Sequence, residues 1–141
     1  MDEAQREATL AQQDGALGDR QAGVELSQLS NAMVRLYKEH FGRGPTKARA
    51  AYAGPDIVVC TLEESFTPAE QMLVQLGEHQ RLRDTRMFFQ YASEHEFRKA
   101  VEDITGRKVR AFVSGIDAEE DVSSELFYLE PAMGRAPDLS A

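Results

Sequence analysis

The segment LYKEHFGRGP (residues 36–45) is the strongest structural signal in the sequence, because it ends a helix and turns the chain into a strand. Gly42 suits the left-handed conformation just past a helix end, where a Cβ is sterically penalised. Pro45 has no backbone N–H and biases Gly44 away from helical angles. The sequence therefore predicts a helix that stops at Gly42 and a sharp turn into a strand from residue 46.

The predicted helix covers residues 24–41 and is amphipathic. Apolar side chains recur at helical spacing along one stripe, and polar side chains occupy the rest of its surface. Such a stripe is typical of a helix that packs on a core. The expected core residues are Leu26, Leu29, Met33, Leu36, Tyr37 and Phe41.

The same junction occurs a second time in the chain. Gly42 and Arg43 lead into a basic strand and then an apolar strand, and Gly106 and Arg107 do the same. An internal duplication of one helix-plus-hairpin unit explains this likeness. The alternative is that two unrelated helix ends solve the same capping problem with the same residues.

The other elements complete an α+β pattern. Thr67 and Glu70 form a capping box with Pro68 in the first turn, so a second helix begins here. Gly77 separates this helix from a long third helix over residues 78–105. The predicted strands cover residues 46–53, 56–63, 107–116 and 123–130. The order α-β-β-α-α-β-β predicts a four-stranded antiparallel sheet built from two hairpins, with three helices packed on it.

Apolar surface exceeds what one layer of helices covers. The long third helix carries apolar residues on a wide arc, so it is either the most buried helix or also meets a second subunit. The strand over residues 56–63 is apolar at nearly every position, which indicates cover on both faces. If helices cover only one face, we expect a homo-oligomer, by default a dimer. The arc consists of Leu82, Phe89, Ala92, Phe97, Val101 and Ile104, with Phe88, Tyr91 and His95 beside them.

Length and composition bound the class of protein. The 141 residues predict one domain over residues 24–130, a disordered or frayed tail over residues 1–23 and a disordered tail over residues 131–141. The formal net charge of −8 argues against a nucleic-acid partner. The single cysteine excludes a disulfide within the chain and fits a cytoplasmic location. No apolar run resembles a signal peptide or a membrane span, so we expect no membrane insertion.

Two clusters of cations form the candidate site. They are Arg43, Lys47 and Arg49 at the first junction, and Arg107, Lys108 and Arg110 at the second. Arginine suits carboxylate, phosphate or bicarbonate, and under the duplication the two clusters are related by a pseudo-two-fold axis and form one anion site. The alternative is that these cations keep sheet edges soluble or lie near helix C-termini.

The sequence contains no catalytic or metal-binding motif. The acidic run at residues 117–121 lacks the ligand spacing of a calcium loop, and is better explained as a solvated hairpin loop. His95 lacks the second histidine of a zinc-binding helix and is expected to be half-buried. Cys60 is expected to be a small packing residue. An enzyme that uses Glu94, His95 or Cys60 is the weakest hypothesis, and no metal or cofactor is expected.

Residues 29–45, 66–70 and 104–109 together resemble a known bacterial family. It is named after the MpsC component of a sodium-translocating, membrane-potential-generating system, and the likeness covers residues 26–130. The resemblance implies a small soluble protein, sometimes linked to a membrane system for cation or inorganic-carbon uptake, and supplies no catalytic residues. The expected function is a non-enzymatic cytosolic accessory or regulatory protein with a membrane transporter as partner. The alternative is a small-anion or nucleotide-phosphate sensor that uses the Gly-Arg junctions.

Overall fold

The computed structural model describes residues 2–132, apart from the side chains of residues 7–17 and 19. Within these residues, four helices and four strands follow in the order α1, β1, β2, α2, α3, α4, β3, β4. The helices are α1 (Glu3–Phe41), α2 (Pro68–Gln75), α3 (His79–Ala92) and α4 (Glu94–Thr105), and the strands are β1 (Lys47–Tyr52), β2 (Ile57–Glu63), β3 (Val109–Asp117) and β4 (Val122–Leu129). This order confirms the predicted α+β class.

The four strands form one antiparallel sheet in the order β1-β2-β4-β3. Strands β2 and β4 are therefore central, and β1 and β3 are the two edges. A duplicated helix-plus-hairpin unit is compatible with this strand order, but the order does not test the duplication, which stays a prediction.

Helix α1 differs from the predicted helix at its start. It begins at Glu3 rather than at residue 24, and Asp2 caps it: the Asp2 side chain accepts from the Gln5 backbone N–H at 2.8 Å. The sequence predicted a tail over residues 1–23, which contain few apolar residues, whereas the Asp2 cap supports a helix there. At the other end of the chain, the predicted tail lies almost entirely outside the described residues, since only Pro131 and Ala132 belong to them.

Both glycine junctions form as predicted. Gly42 ends α1 with φ of +79° and its N–H donates to the Lys38 carbonyl at 2.9 Å. Gly106 ends α4 in the same left-handed conformation, with φ of +70°. Gly44, which precedes Pro45, lies close to α1, because a Cβ at this position would be 3.3 Å from a Val34 methyl carbon.

The long third helix was predicted as one element, and this prediction was wrong. It is interrupted at Ser93, which has φ of −101° and ψ of 13° and separates α3 from α4. His40 of α1 lies at the interruption: its Nδ1 is 3.4 Å from Ser93 Oγ and its Nε2 is 2.9 Å from Glu96 Oε2. The interruption contains neither glycine nor proline, so the sequence pattern gave no signal for it.

The main core lies between the sheet and helices α1 and α4. The predicted α1 stripe is confirmed, with Leu26 and Phe41 partly buried at its two ends. Of the two alternatives for the long helix, the most buried helix is wrong for α3, because Phe89 and Ala92 are exposed, and contact with a second subunit stays a prediction. His95, expected to be half-buried, is exposed as well. The buried apolar residues of this core are Leu29, Ala32, Met33, Leu36, Tyr37, Val58, Cys60, Leu62, Phe97, Val101, Val109, Phe112, Phe127 and Leu129.

Candidate functional site

The arginine of the first junction is held against the protein. Arg43 is half-buried, and its Nη1 donates to the Phe66 carbonyl, just before α2. Lys47 forms an ion pair with Glu64, with Nζ 3.7 Å from Oε1, and Arg49 is exposed on β1. Lys47 and Arg49 therefore face solvent, whereas Arg43 fastens a loop.

The arginine of the second junction is a structural clamp. Only 18% of the Arg107 side chain is exposed. Its guanidinium donates to the Pro55 carbonyl at 2.9 Å, to the Glu130 carbonyl at 2.7 Å, and to Asp56 Oδ1 at 2.5 Å. Arg107 therefore joins the β1–β2 turn to the end of β4, and its donors are not available to a free anion.

The structure does not bring the two cationic clusters together. Lys47 and Arg49 lie on or beside one edge strand, and Lys108 and Arg110 lie at the other. With about 4.8 Å between neighbouring strands, the two edges are about 14 Å apart. Arg110 is placed over the ring of Tyr128, at 5.4 Å from its centroid. Within one chain, the six cations do not form the single anion site that the sequence predicted.

Lys47 and Arg49 lie on the sheet face turned away from the helices, and we call it the open sheet face. Because side chains alternate along each strand, the strand register aligns them in rows across the sheet. The charged row is Lys47, Glu63, Val122 and Asp117, the polar row is Arg49, Thr61, Ser124 and Gly115, the apolar row is Ala51, Val59, Leu126 and Val113, and the end row includes Ile57, Tyr128 and Ala111.

Apolar side chains of the open sheet face remain accessible. Val113 is 43% exposed, Ala51 is exposed, and Val59 and Leu126 are half-buried. On the opposite face of the same sheet, Val58 is fully buried under the helices. The prediction that β2 is apolar on both faces is confirmed, and the described helices cover one of them.

A second apolar surface lies on α3. Phe88 is 70% exposed and Phe89 is 48% exposed, with their ring centroids 5.7 Å apart. We call these two residues the α3 aromatic pair. Tyr91, on the next turn, is not part of this pair. Its hydroxyl accepts from the Ser114 backbone N–H at 3.0 Å and so ties α3 to the sheet. The wide apolar arc predicted for this helix thus ends in aromatic rings that face solvent.

A buried polar cluster between α1, α3 and the sheet was missed by sequence reasoning. The Tyr37 hydroxyl donates to Glu125 Oε1 at 2.5 Å, and Gln90 Nε2 donates to the Tyr37 oxygen at 3.0 Å and also to Glu125 Oε1. Three more buried atoms have no hydrogen-bond partner within the described residues: Gln90 Oε1, Ser114 Oγ and Glu125 Oε2. Glu125 is fully buried, so the cluster places a carboxyl group inside the core.

The environment of this cluster shifts several pKa values. Burial raises the pKa of Glu125 from 4.5 to about 7, although hydrogen bonds, chiefly from Tyr37, and the charge of Arg86 act against it. Ser114 lies near enough to lower this pKa, but its hydroxyl falls short of hydrogen-bond geometry. Burial, followed by the charge of Glu125, raises the pKa of Tyr37 and raises that of Cys60 to about 12.

Arg86 is buried beside this cluster and was also missed. Its side chain is 2% exposed, and it donates to both carboxylate oxygens of Glu70 at 2.5 and 2.6 Å and to the Ser65 carbonyl at 3.0 Å. Its guanidinium carbon is 3.8 Å from the ring centroid of Phe41. Burial alone raises the pKa of Glu70, but hydrogen bonds from Arg86 and Thr67 outweigh this effect and lower it.

The enzyme hypothesis, which names Glu94, His95 and Cys60, finds no catalytic arrangement of these residues. Cys60 is buried and its raised pKa keeps the thiol protonated, whereas Glu94 forms an ion pair with Arg98 at 3.0 Å. Among the side chains that the structure describes, no three from His, Cys, Asp or Glu are grouped so that they can hold a metal ion. The acidic run is more than a solvated loop, because Asp121 accepts from the backbone N–H groups of Ser65 and Phe66.

The sequence matches the family described as Na⁺-translocating membrane potential-generating system (MpsC) over residues 22–131. No curated protein and no solved structure matches the chain. In the described part of the chain, no helix combines the length and the apolar character that crossing a membrane requires. The matched span takes in the core, the open sheet face and the α3 aromatic pair, and the chain therefore belongs to the MpsC family, whose description suggests a role in a Na⁺-linked membrane-potential system.

Proposed function

We propose that this protein is a non-enzymatic accessory or regulatory component of a Na⁺-linked membrane system, and that it acts in the cytoplasm through protein–protein contacts. The observation that carries the proposal is the α3 aromatic pair, since Phe88 and Phe89 offer two adjacent rings to solvent. Aromatic side chains are enriched among the residues that dominate binding energy at interfaces. The family description supplies the system in which the partner is sought.

We further propose that the protein is a homodimer. The apolar row of the open sheet face supports this, because a row that crosses all four strands is the kind of surface that a second protein covers. The α3 aromatic pair then remains for the partner in the membrane system.

Substitution of Phe88 tests the accessory role. We expect the full-length protein to capture a membrane protein of a Na⁺-transport system from detergent-solubilised native membranes, and Phe88→Ser to weaken that interaction about 30-fold, as for other interface hot spots. Because Phe88 is 70% exposed, the variant should unfold at the same temperature as the wild type. Affinity is measured by biolayer interferometry with the captured protein after its identification by mass spectrometry.

Val24→Ser is the matched control, because Val24 is 57% exposed and lies on α1. It should leave the interaction unchanged. If both variants bind equally well, or if no Na⁺-transport component is captured, the accessory role is wrong.

A second candidate function is anion binding at the first junction. Lys47 and Arg49 line a shallow concavity with Thr61 on the open sheet face. Two cations on one face suit a carboxylate, phosphate or bicarbonate group, although Glu63, opposite Lys47 in the register, reduces the positive potential.

Calorimetry measures this second function. Titration with phosphate, bicarbonate or common nucleotides should give a binding heat that the Lys47→Ala/Arg49→Ala variant loses. The Lys99→Ala/Arg98→Ala variant on α4 is the control for loss of two positive charges elsewhere and should keep that heat. If none of these anions produces heat with the wild type, the first junction is not a sensor.

A further inference from the structure

We propose that a second copy of this chain covers the open sheet face about a two-fold axis that lies between the two sheets and runs parallel to their strands. The inference rests on the homodimer of the proposed function and adds the surface, the orientation and the facing residues. The order of side chains in the rows decides the orientation.

Two stacked copies of one sheet can be related by an axis along the strands or by an axis across them. An axis along the strands places each row over the same row of the second copy with the strand order reversed, so that β1 lies over β3. An axis across the strands keeps the strand order and reverses the order of the rows, so that the charged row lies over the end row. The two arrangements therefore predict different neighbours for every residue.

The apolar row favours the axis along the strands. In that arrangement Ala51 faces Val113 of the second copy, and Val59 faces Leu126. The smallest side chain of the row thus meets Val113, which is 43% exposed, and the two larger residues meet at the centre. Stacked sheets lie about 10 Å apart, which is the spacing that interdigitated side chains of this size fill.

The charges select the same axis. The row that contains Lys47 ends in Asp117 at the far edge, so reversal of the strand order places Lys47 of one copy over Asp117 of the other. Arg49 then faces Gly115, where a Cβ would meet no atom within 4 Å, so its long side chain has room. The axis across the strands would instead keep β1 over β1 and place Glu63 over Ile57 of the end row, so it offers no contact between Lys47 and Asp117.

This arrangement gives the cationic cluster of the first junction a second acceptor, besides the Glu64 carboxylate that pairs with Lys47. The carboxylate of Asp117 in the second copy takes the place of a small anion beside Lys47 and Arg49. The face is only four strands wide, which is narrow for a standard interface, so the dimer should dissociate on dilution.

Cross-linking of the full-length protein tests the orientation. Ala51→Cys and Val113→Cys are prepared separately and treated with a bis-maleimide that spans about 10 Å. Neither variant should cross-link alone, because each residue faces a different residue in the second copy, whereas a 1:1 mixture allowed to exchange should give the covalent dimer in about half of the population. The wild type is the control for Cys60, which is buried.

Light scattering and sedimentation over a dilution series measure the dimer. Lys47→Glu should weaken it about 10-fold, and the double variant Lys47→Glu/Asp117→Lys should restore it to within about twofold of the wild type. Asp117 also accepts from the Glu119 and Glu120 backbone N–H groups, so substitution of Asp117 by itself does not strengthen the dimer. Restoration in the double variant is therefore diagnostic of the contact between residues 47 and 117. Lys99→Glu on α4 is the control and should change nothing.

Each contrary result overturns a distinct statement. A chain that remains a 15.7 kDa monomer at every concentration overturns the homodimer and this inference with it. A dimer in which Ala51→Cys cross-links to itself overturns the orientation and leaves the homodimer standing. Capture of the membrane partner through Phe88 does not depend on the dimer. Failure of the accessory role is therefore distinguishable from failure of the homodimer or of its orientation.

Discussion

Glu125→Gln should stabilise the protein at pH 8 and change its stability little at pH 4.5. An unfolded glutamate loses its proton near pH 4.5, whereas Glu125 in the folded protein keeps its proton until about pH 7. Between these values the folded state binds more protons, so stability falls as the pH rises and stays low above pH 7. A shift of this size corresponds to about 3 kcal/mol, or about 10 °C in the unfolding temperature.

Glutamine reproduces the neutral carboxyl group without a proton to lose. Its oxygen accepts from Tyr37, as Glu125 Oε1 does, and its NH₂ group is a donor beside two buried acceptors, Gln90 Oε1 and Ser114 Oγ, that otherwise have no partner in the described structure. Differential scanning calorimetry from pH 4.5 to pH 8 measures the difference. Glu130→Gln, an exposed control, should parallel the wild type. Equal destabilisation of Glu125→Gln at every pH contradicts the raised pKa.

Arg86→Met should cost about 3–5 kcal/mol, because it leaves a partly buried carboxylate and a buried carbonyl without their donor. Glu70 is 17% exposed and the Ser65 residue is fully buried, so water replaces few of the lost hydrogen bonds. Glu70→Gln should also be destabilising, since it leaves the Arg86 charge in the core. The double variant should lose less than the sum of the two single variants, by about 1–3 kcal/mol.

Urea denaturation of the four proteins gives this coupling free energy directly. Arg81→Met is the control, because Arg81 lies on the same helix with a side chain that is 70% exposed, and it should cost less than about 0.5 kcal/mol. If the effects of Arg86→Met and Glu70→Gln simply add, the ion pair does not stabilise the fold.

Local signals in the sequence were sufficient for the junctions and for the strand pairs. Gly42 and Gly106 adopt the left-handed conformation that a helix end requires, and the two predicted hairpins form as β1 with β2 and β3 with β4. These features depend on neighbouring residues, and this is why they could be predicted. The interruption at Ser93 has no such local signal, and its nearest polar contact is to His40, which is distant in the sequence.

The buried polar residues were missed because polarity was taken as a mark of exposure. Leu82, Arg86 and Gln90 follow one another at a spacing of four, so they share a helical stripe that begins with an apolar residue. Glu125 alternates with Phe127 on β4 in the same way. This spacing could have raised the question of burial, but only the partners, Glu70 and Tyr37, explain why burial is tolerated.

That the cationic clusters bind an anion stays a prediction, and their expected arrangement as one site within the chain differs from the structure. Both cationic clusters lie at glycine-ended helices, as expected, yet the strand order sends them to opposite edges. The sequence does not state which strands of two hairpins become neighbours, because pairing between hairpins is decided by the packing of the whole sheet.

The strand order also has a consequence for the synthesis of the protein. Strand β2 pairs with β1, which precedes it, and with β4, which ends at Leu129. During synthesis on the ribosome, the backbone donors and acceptors on the β4 side of β2 therefore stay unpaired until nearly the whole chain has emerged. Emergence of β4, up to Leu129, is thus the step at which the free edge of β2 becomes paired.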